Sequence, residues 1–248
     1  MFEKVEGIII RTQDYGETHK IVTIFSKEYG KIAAIARGAK KPKSRMAAIA
    51  QMFIHGQFLI QLGKGLGAIQ QGEVIQSYRK IRENIVQTAY ASYLAELTDK
   101  LMEEKKPDYY LFKQFDATLT ALSQDKDPIV LVMMYELKLY QIAGFAPVVD
   151  RCCHCGATDL LVGFSITEGG VICQRCHHLD KYSVKLNSTQ LQLLRLFAQV
   201  NMDRIANISI KEENKRVLKG LIEQYYEQYG GLYIKSKKFL NQIDLFDS

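Results

Sequence analysis

VEGIIIRTQDYGETHKIVTIFSKEYGKIAAIA, residues 5–36, is the stretch whose reading decides the fold. Three runs rich in Ile and Val are separated by Asp14-Tyr15-Gly16 and Tyr29-Gly30, which are turn signals. The runs Val5–Arg11, Lys20–Ser26 and Lys31–Ala36 therefore read as short strands. Two more follow, Met52–Leu62 and Leu66–Gln76, separated by Gly63-Lys64-Gly65. Within the fourth, Gln57-Phe58-Leu59-Ile60-Gln61-Leu62 alternates in part between polar and apolar. Five strands in so few residues predict a small closed barrel, OB-like or SH3-like. Part of Gly38–Ala50, between the third and fourth strands, is expected to be helical, as that place often is in an OB barrel.

Beyond Tyr78 the period changes. Ile81, Ile85, Ala89, Tyr93, Leu97 and Leu101 recur every four residues and predict one amphipathic helix. A second is expected over roughly Asp108–Leu122. Asp127-Pro128 reads as an N-cap with proline at the first helical position, opening a third helix, Ile129–Ala143. Asn187-Ser188 caps a fourth, Gln190–Val200, and Lys211–Tyr229 is the fifth. The tail Lys235–Ser248, basic first and acidic last, carries no readable pattern. The fold class is thus multidomain β + α: an OB-like barrel over residues 1–78, then an α-helical domain over 79–248, interrupted by a zinc-binding segment over 150–180.

That segment rests on cysteine spacing. Cys152-Cys153-His154-Cys155 and Cys173-Gln174-Arg175-Cys176 form two C-x2-C pairs with seventeen residues between them. Two residues between thiolates let one tight turn present both sulfurs to one ion. MFEKVEGIII carries no secretory signature and no apolar run approaches a membrane span. A cytoplasmic chain keeps its thiols reduced, which favours metal over disulfides. Cys152, Cys155, Cys173 and Cys176 are the expected ligands of one structural Zn2+, a closed set with no open position for substrate. Cys153 is off-register, and His154, His177 and His178 are substitutes that four cysteines leave idle.

Net charge is +6, from 33 basic and 27 acidic side chains. Lys31, Arg37, Lys40, Lys41, Lys43 and Arg45 are six cations in fifteen residues with no acid among them, equal to the whole excess. Such concentration points to a polyanion partner. Six phosphate contacts to a single strand give a salt slope near −4, at about −0.7 each, and an affinity loss of about 300-fold between about 50 and 200 mM salt. Tyr15 and Tyr29, next to turns, are the candidate base-stacking residues. H-E-x-x-H, the zinc-deaminase pattern, the Walker spacing and the Gly-x-Ser-x-Gly elbow are all missing from the sequence.

Tyr29-Gly30-Lys31, the block Ala36–Arg45, Cys152–Gly156 and Gly169-Gly170 ahead of Cys173–Cys176 together resemble the bacterial RecO recombination-mediator family, over nearly the whole chain. The resemblance implies a non-enzymatic mediator of recombinational repair, nucleoid-associated in the cytoplasm. It implies binding to single- and double-stranded DNA, annealing of complementary strands, and RecA loading on strands coated by single-strand-binding protein. The implied partners are RecR, the acidic C-terminal tail of the single-strand-binding protein and, indirectly, the RecA filament, with no membrane. The residues leave two rival readings open, a zinc-dependent nucleic-acid-processing enzyme and a protein-interaction scaffold with a structural zinc.

Overall fold

A computed structural model of the chain describes residues 2–63, 65–204 and 209–244. The first five strands are β1 (Phe2–Tyr15), β2 (His19–Ser26), β3 (Gly30–Ala36), β4 (His55–Gln61) and β5 (Gly67–Gln76). They close into a barrel in the order β1-β2-β3-β5-β4. β1 is shared, pairing antiparallel with both β2 and β4, and a parallel β3–β5 pairing closes the ring. This is the five-stranded arrangement expected of an OB-like barrel. Its interior is apolar and mostly aliphatic: Val5, Ile9, Val22, Ile24, Ala34, Phe58 and Ile60 are all fully enclosed.

Two strand ends differ from the sequence reading. β1 runs on to Tyr15, bulging between Ile9 and Arg11, and Ile8, Ile9 and Ile10 are all buried. A strand buried on both faces loses its alternation, and helices cover its outer side. β4 starts at His55 rather than Met52 because Phe53 adopts φ 66°, which no strand residue can hold. The short helix between β3 and β4 is α1 (Arg45–Ile49), opened by Ser44, whose hydroxyl accepts from the Met46 N–H at 3.2 Å. Lys64, in the expected turn between β4 and β5, lies outside the described residues.

The expected helix over 78–101 is two, α2 (Arg79–Glu83) and α3 (Ile85–Leu101). Asn84 separates them in an extended conformation, its side chain accepting from the N–H groups of Val86 and Gln87. Ile85 therefore falls on the exposed first turn, while Ala89, Tyr93 and Leu97 stay buried. α4 (Tyr109–Ser123) follows, capped by Asp108. Phe112 and Phe115 of α4 meet Phe25 of β2 edge-on, at 5.9 and 6.2 Å between ring centres. Packing accordingly joins the barrel to α2–α4 in one compact unit, Met1–Lys126.

The same unit contains Ile234–Ser248. There the unassigned tail forms α8 (Lys235–Asp244) against α3. Its first turn is held by the Glu96 carboxylate, which accepts from the N–H groups of Lys235 (3.0 Å) and Ser236 (2.8 Å) and from the Ser236 hydroxyl (2.6 Å). The acidic end of the tail, residues 245–248, lies outside the described residues.

The second unit, Asp127–Tyr233, comprises α5 (Pro128–Ala143), a small sheet of β6 (Leu161–Ser165), β7 (Gly170–Cys173) and β8 (Val184–Lys185), then α6 (Ser188–Gln199) and α7 (Glu212–Tyr229). Asp127 caps α5 with Pro128 in its first turn, and Asn187 and Gln190 form a capping box at α6. Tyr140 of α5 stacks on Phe145 at 4.9 Å and on Tyr226 of α7 at 5.7 Å. α5 is buried on most of its surface, as its apolar sequence requires. No helix among the described residues is long and apolar enough to cross a membrane.

Candidate nucleic-acid interface and metal centre

The basic segment occupies the connection from β3 to α1. It is a series of turns rather than a loose loop. Ala39 N–H bonds to Ala36 C=O, Lys41 N–H to Gly38 C=O, and Ser44 N–H to Lys41 C=O. Gly38 takes φ 71°, a left-handed turn that a side chain would strain. The turns are tied to the β1–β2 hairpin, where Gly38 N–H donates to His19 Nδ1 at 2.9 Å and Lys40 N–H to Thr18 C=O at 2.9 Å. Ala39 is 4% exposed and belongs to the barrel core. The anchor points inward and the cations point out: Arg37, Lys40, Lys41, Lys43 and Arg45 are all exposed.

Lys31 is set apart from the other five. It sits within β3, half-buried, with its ammonium 3.2 Å from Asp99 Oδ1 and donating to the Asp99 carbonyl. Its positive charge is balanced on the α3 side of the barrel. Lys40 also has a partner, Asp14 Oδ2 at 2.8 Å, but Asp14 is well exposed and Lys40 partly so, and water and salt compete for that pair. The Lys40 ammonium bonding to it holds the Asp14 carboxyl below the usual carboxylate range.

Of the two aromatic candidates, Tyr15 is half exposed, at the end of β1 beside the hairpin that anchors the basic turns. Tyr29 packs against the barrel core and donates its hydroxyl to Glu3 at 3.1 Å. His19 was the anchor that sequence could not reveal: a lone histidine gives no sign that its ring will meet an N–H nineteen residues away.

In the second unit, the sulfurs of Cys152, Cys155, Cys173 and Cys176 lie within 4.8 Å of one another, with Cys155 and Cys173 3.6 Å apart. Four sulfurs at about 2.3 Å from a central zinc would stand about 3.8 Å apart, so the cluster has the dimensions of a tetrahedral thiolate site. Each pair is presented by a tight turn, closed by Gly156 N–H to Cys152 C=O at 2.9 Å and Cys176 N–H to Cys173 C=O at 3.0 Å.

The thiols' acidities are divided. Burial raises Cys152, but the backbone N–H groups of Cys155, Cys173 and His154 outweigh it and bring the thiol down to about 6. Burial and the neighbouring thiols push Cys176 up to about 12. Four like charges this close cannot coexist unaided, and a divalent cation removes the conflict. The chemistry of the donor set fits such an ion. Cys153 stays outside the cluster, its thiol raised by burial to about 11. The three histidines do not join it either.

The family model described as Recombination protein O N terminal matches residues 1–78, and that described as Recombination protein O C terminal matches residues 82–238. The chain belongs to the RecO family. A DNA repair protein RecO of Oceanobacillus iheyensis is 52% identical over 246 residues, covering 99% of this chain and 95% of that protein. Proteins of the same name from Bacillus cytotoxicus (50% identical) and Bacillus mycoides (48%) each cover 99% of both chains. The RecO family models meet between residues 78 and 82, whereas packing joins the barrel to the helices up to Lys126. Homologous segment and compact unit are different divisions of this RecO chain, because α2–α4 cover the outside of the barrel.

Proposed function

We propose that this RecO-family protein acts in recombinational DNA repair as a non-enzymatic, DNA-binding mediator in the cytoplasm, at the nucleoid. Residues 1–78 form its DNA-binding domain. The observation that carries this reading is the row of five exposed cations, four on turns anchored to the barrel by Ala39, Thr18 and His19 and the fifth, Arg45, at the start of α1. Arg37, Lys40, Lys41, Lys43 and Arg45 would neutralise phosphates of single- and double-stranded DNA. Lys31 would support the strand that presents them.

Lowering the repulsion between two strands lets complementary sequences pair without nucleotide hydrolysis. The same contacts would serve RecA loading on strands covered by single-strand-binding protein, with RecR and that protein's acidic tail as partners. The four-cysteine cluster would hold one structural Zn2+, and its closed donor set argues against zinc-dependent nucleic-acid processing.

Replacing Arg37, Lys40 and Lys41 together by glutamate tests the reading. Oligonucleotide affinity should fall at least about 100-fold near 100 mM salt, and the salt slope should shrink by about 2. The thermal melt should not move, because all three side chains are exposed. Unchanged affinity would remove the basic turns from the DNA surface.

A further inference from the structure

One groove in the barrel unit is left unused by this reading. It encloses about 690 Å3 between α1 and the outer face of β1, β4 and β5. That volume is within the range of about 300–1,000 Å3 usual for sites that take a small organic molecule. It does not involve β2 and β3, the strands on which OB folds commonly bind oligonucleotides.

Its chemistry is distinctive. Gln57 and Glu73 are paired across β4–β5, and Leu59 is opposite Gln71, so both rows face outward on one surface. The register slips between Leu59 and Ile60, leaving Gln70 as an extra residue in β5, and both Gln70 and Gln71 are exposed. Bulges often re-aim side chains at functional sites in this way. Gln57 is exposed as well, so all three glutamines lie at the surface rather than in the core. Lys4 and Arg45 also line the groove. Gly72 keeps its floor open: a Cβ there would stand 2.9 Å from Ile49 Cδ1 and 3.0 Å from Phe58 Cδ1.

Uncharged amides in a concave surface offer paired donors and acceptors, the pattern that matches the edges of unpaired nucleobases. Arg45 belongs both to this groove and to the basic turns, so the two surfaces are continuous. The carboxylate of Glu73 disfavours phosphate on its own edge, and the cations Lys4 and Arg45 favour it on theirs. We infer that this groove receives the bases of a single DNA strand whose phosphates run along the basic turns and Arg45, with Gln57, Gln70 and Gln71 bonding to base edges. The inference rests on the proposed DNA binding by those turns. In a duplex the Watson–Crick edges are already paired and the bases are stacked inside the helix, so the groove gives the protein a preference for single strands.

The test compares the full-length protein with Gln57→Ala/Gln71→Ala, using a fluorescent mixed-sequence single strand and the matching duplex. Single-strand affinity should fall about tenfold, as expected for the loss of two hydrogen bonds. Duplex affinity and the salt slope should not change, because no phosphate contact is removed. Gln57→Glu/Gln71→Glu keeps the shape, adds two charges and should weaken single-strand binding further. Both pairs are exposed, and an unshifted thermal melt checks the fold.

Unchanged single-strand affinity in both variants, equal losses on single strand and duplex, or no single-strand binding by the unaltered protein would each overturn the inference. Failure of the basic-turn reading is separate: there the Arg37, Lys40 and Lys41 variant keeps its affinity and slope.

Discussion

The barrel and the cysteine module are both small β structures, yet they are held by different forces. Fourteen described side chains, almost all aliphatic, fill the barrel interior. The buried cluster of the cysteine module is Cys152, Ile172, Cys173 and Cys176, three of them prospective ligands. The barrel can exclude water from an interior of its own. The module's own buried cluster is mostly thiol, with sulfurs spaced so that they could hold a metal ion. The exposed cations proposed to meet DNA lie on the self-sufficient part, and the cluster that could hold an ion lies on the other.

Metal removal should separate the two most sharply. A structural zinc supplies about 10–16 kcal/mol, so chelation, or Cys173→Ser, should collapse the module. Hydrogen exchange should rise across residues 150–178 while barrel amides stay protected, and single-strand affinity should stay within about twofold. Equal loss of protection in the barrel would break the comparison.

The next effect is the mirror image. Phe58→Ala empties the middle of the barrel and should cost about 3–5 kcal/mol. It should lower DNA affinity through loss of fold while metal content, read by thiolate–metal absorption, is retained. A variant that loses metal as readily as it loses barrel stability would show that the two regions are not independent.

The smallest effect sharpens the account of the barrel unit. His55 is buried against Phe112, with Nδ1 2.9 Å from Asp116 Oδ1 and Nε2 3.3 Å from Glu6 Oε1. Burial lowers its pKa, but the Asp116 and Glu6 carboxylates prevail and the net shift is upward. Burial likewise raises Asp116, but hydrogen bonds from His55 and Tyr78 bring it below the ordinary carboxylate value. The His55 contribution is therefore full below about pH 6.5 and fades as pH rises through the elevated value; that of Asp116 is full above about pH 3.9 and fades as pH falls. Urea midpoints should decline from pH 6 towards pH 9, and His55→Gln should flatten that decline. An unchanged slope in the variant would remove His55 from the titration.

Much of this was legible in residue order. The five strands, the N-caps at Asp127 and Asn187, and the clustering of the four cysteines all follow from short-range pattern. The misreadings have physical causes. Asn84 breaks a helix that the four-residue repeat carries straight through, because a single capping side chain offers the backbone a better partner than the next turn. Lys31 counted as one cation among six until α3 brought Asp99 beside it. The tail gave no signal because the group that starts its helix, Glu96, is 140 residues away.

The sequence by itself determined the barrel, the helices, the four-cysteine cluster and the concentration of charge, since each is a matter of spacing within a turn, a strand or a pair of hairpins. Only the tertiary structure decided which cations are free, what anchors them, where the tail docks, and that three glutamines share a groove with Arg45. Those outcomes depend on which distant elements meet, and partners far apart in the chain leave no local trace of one another.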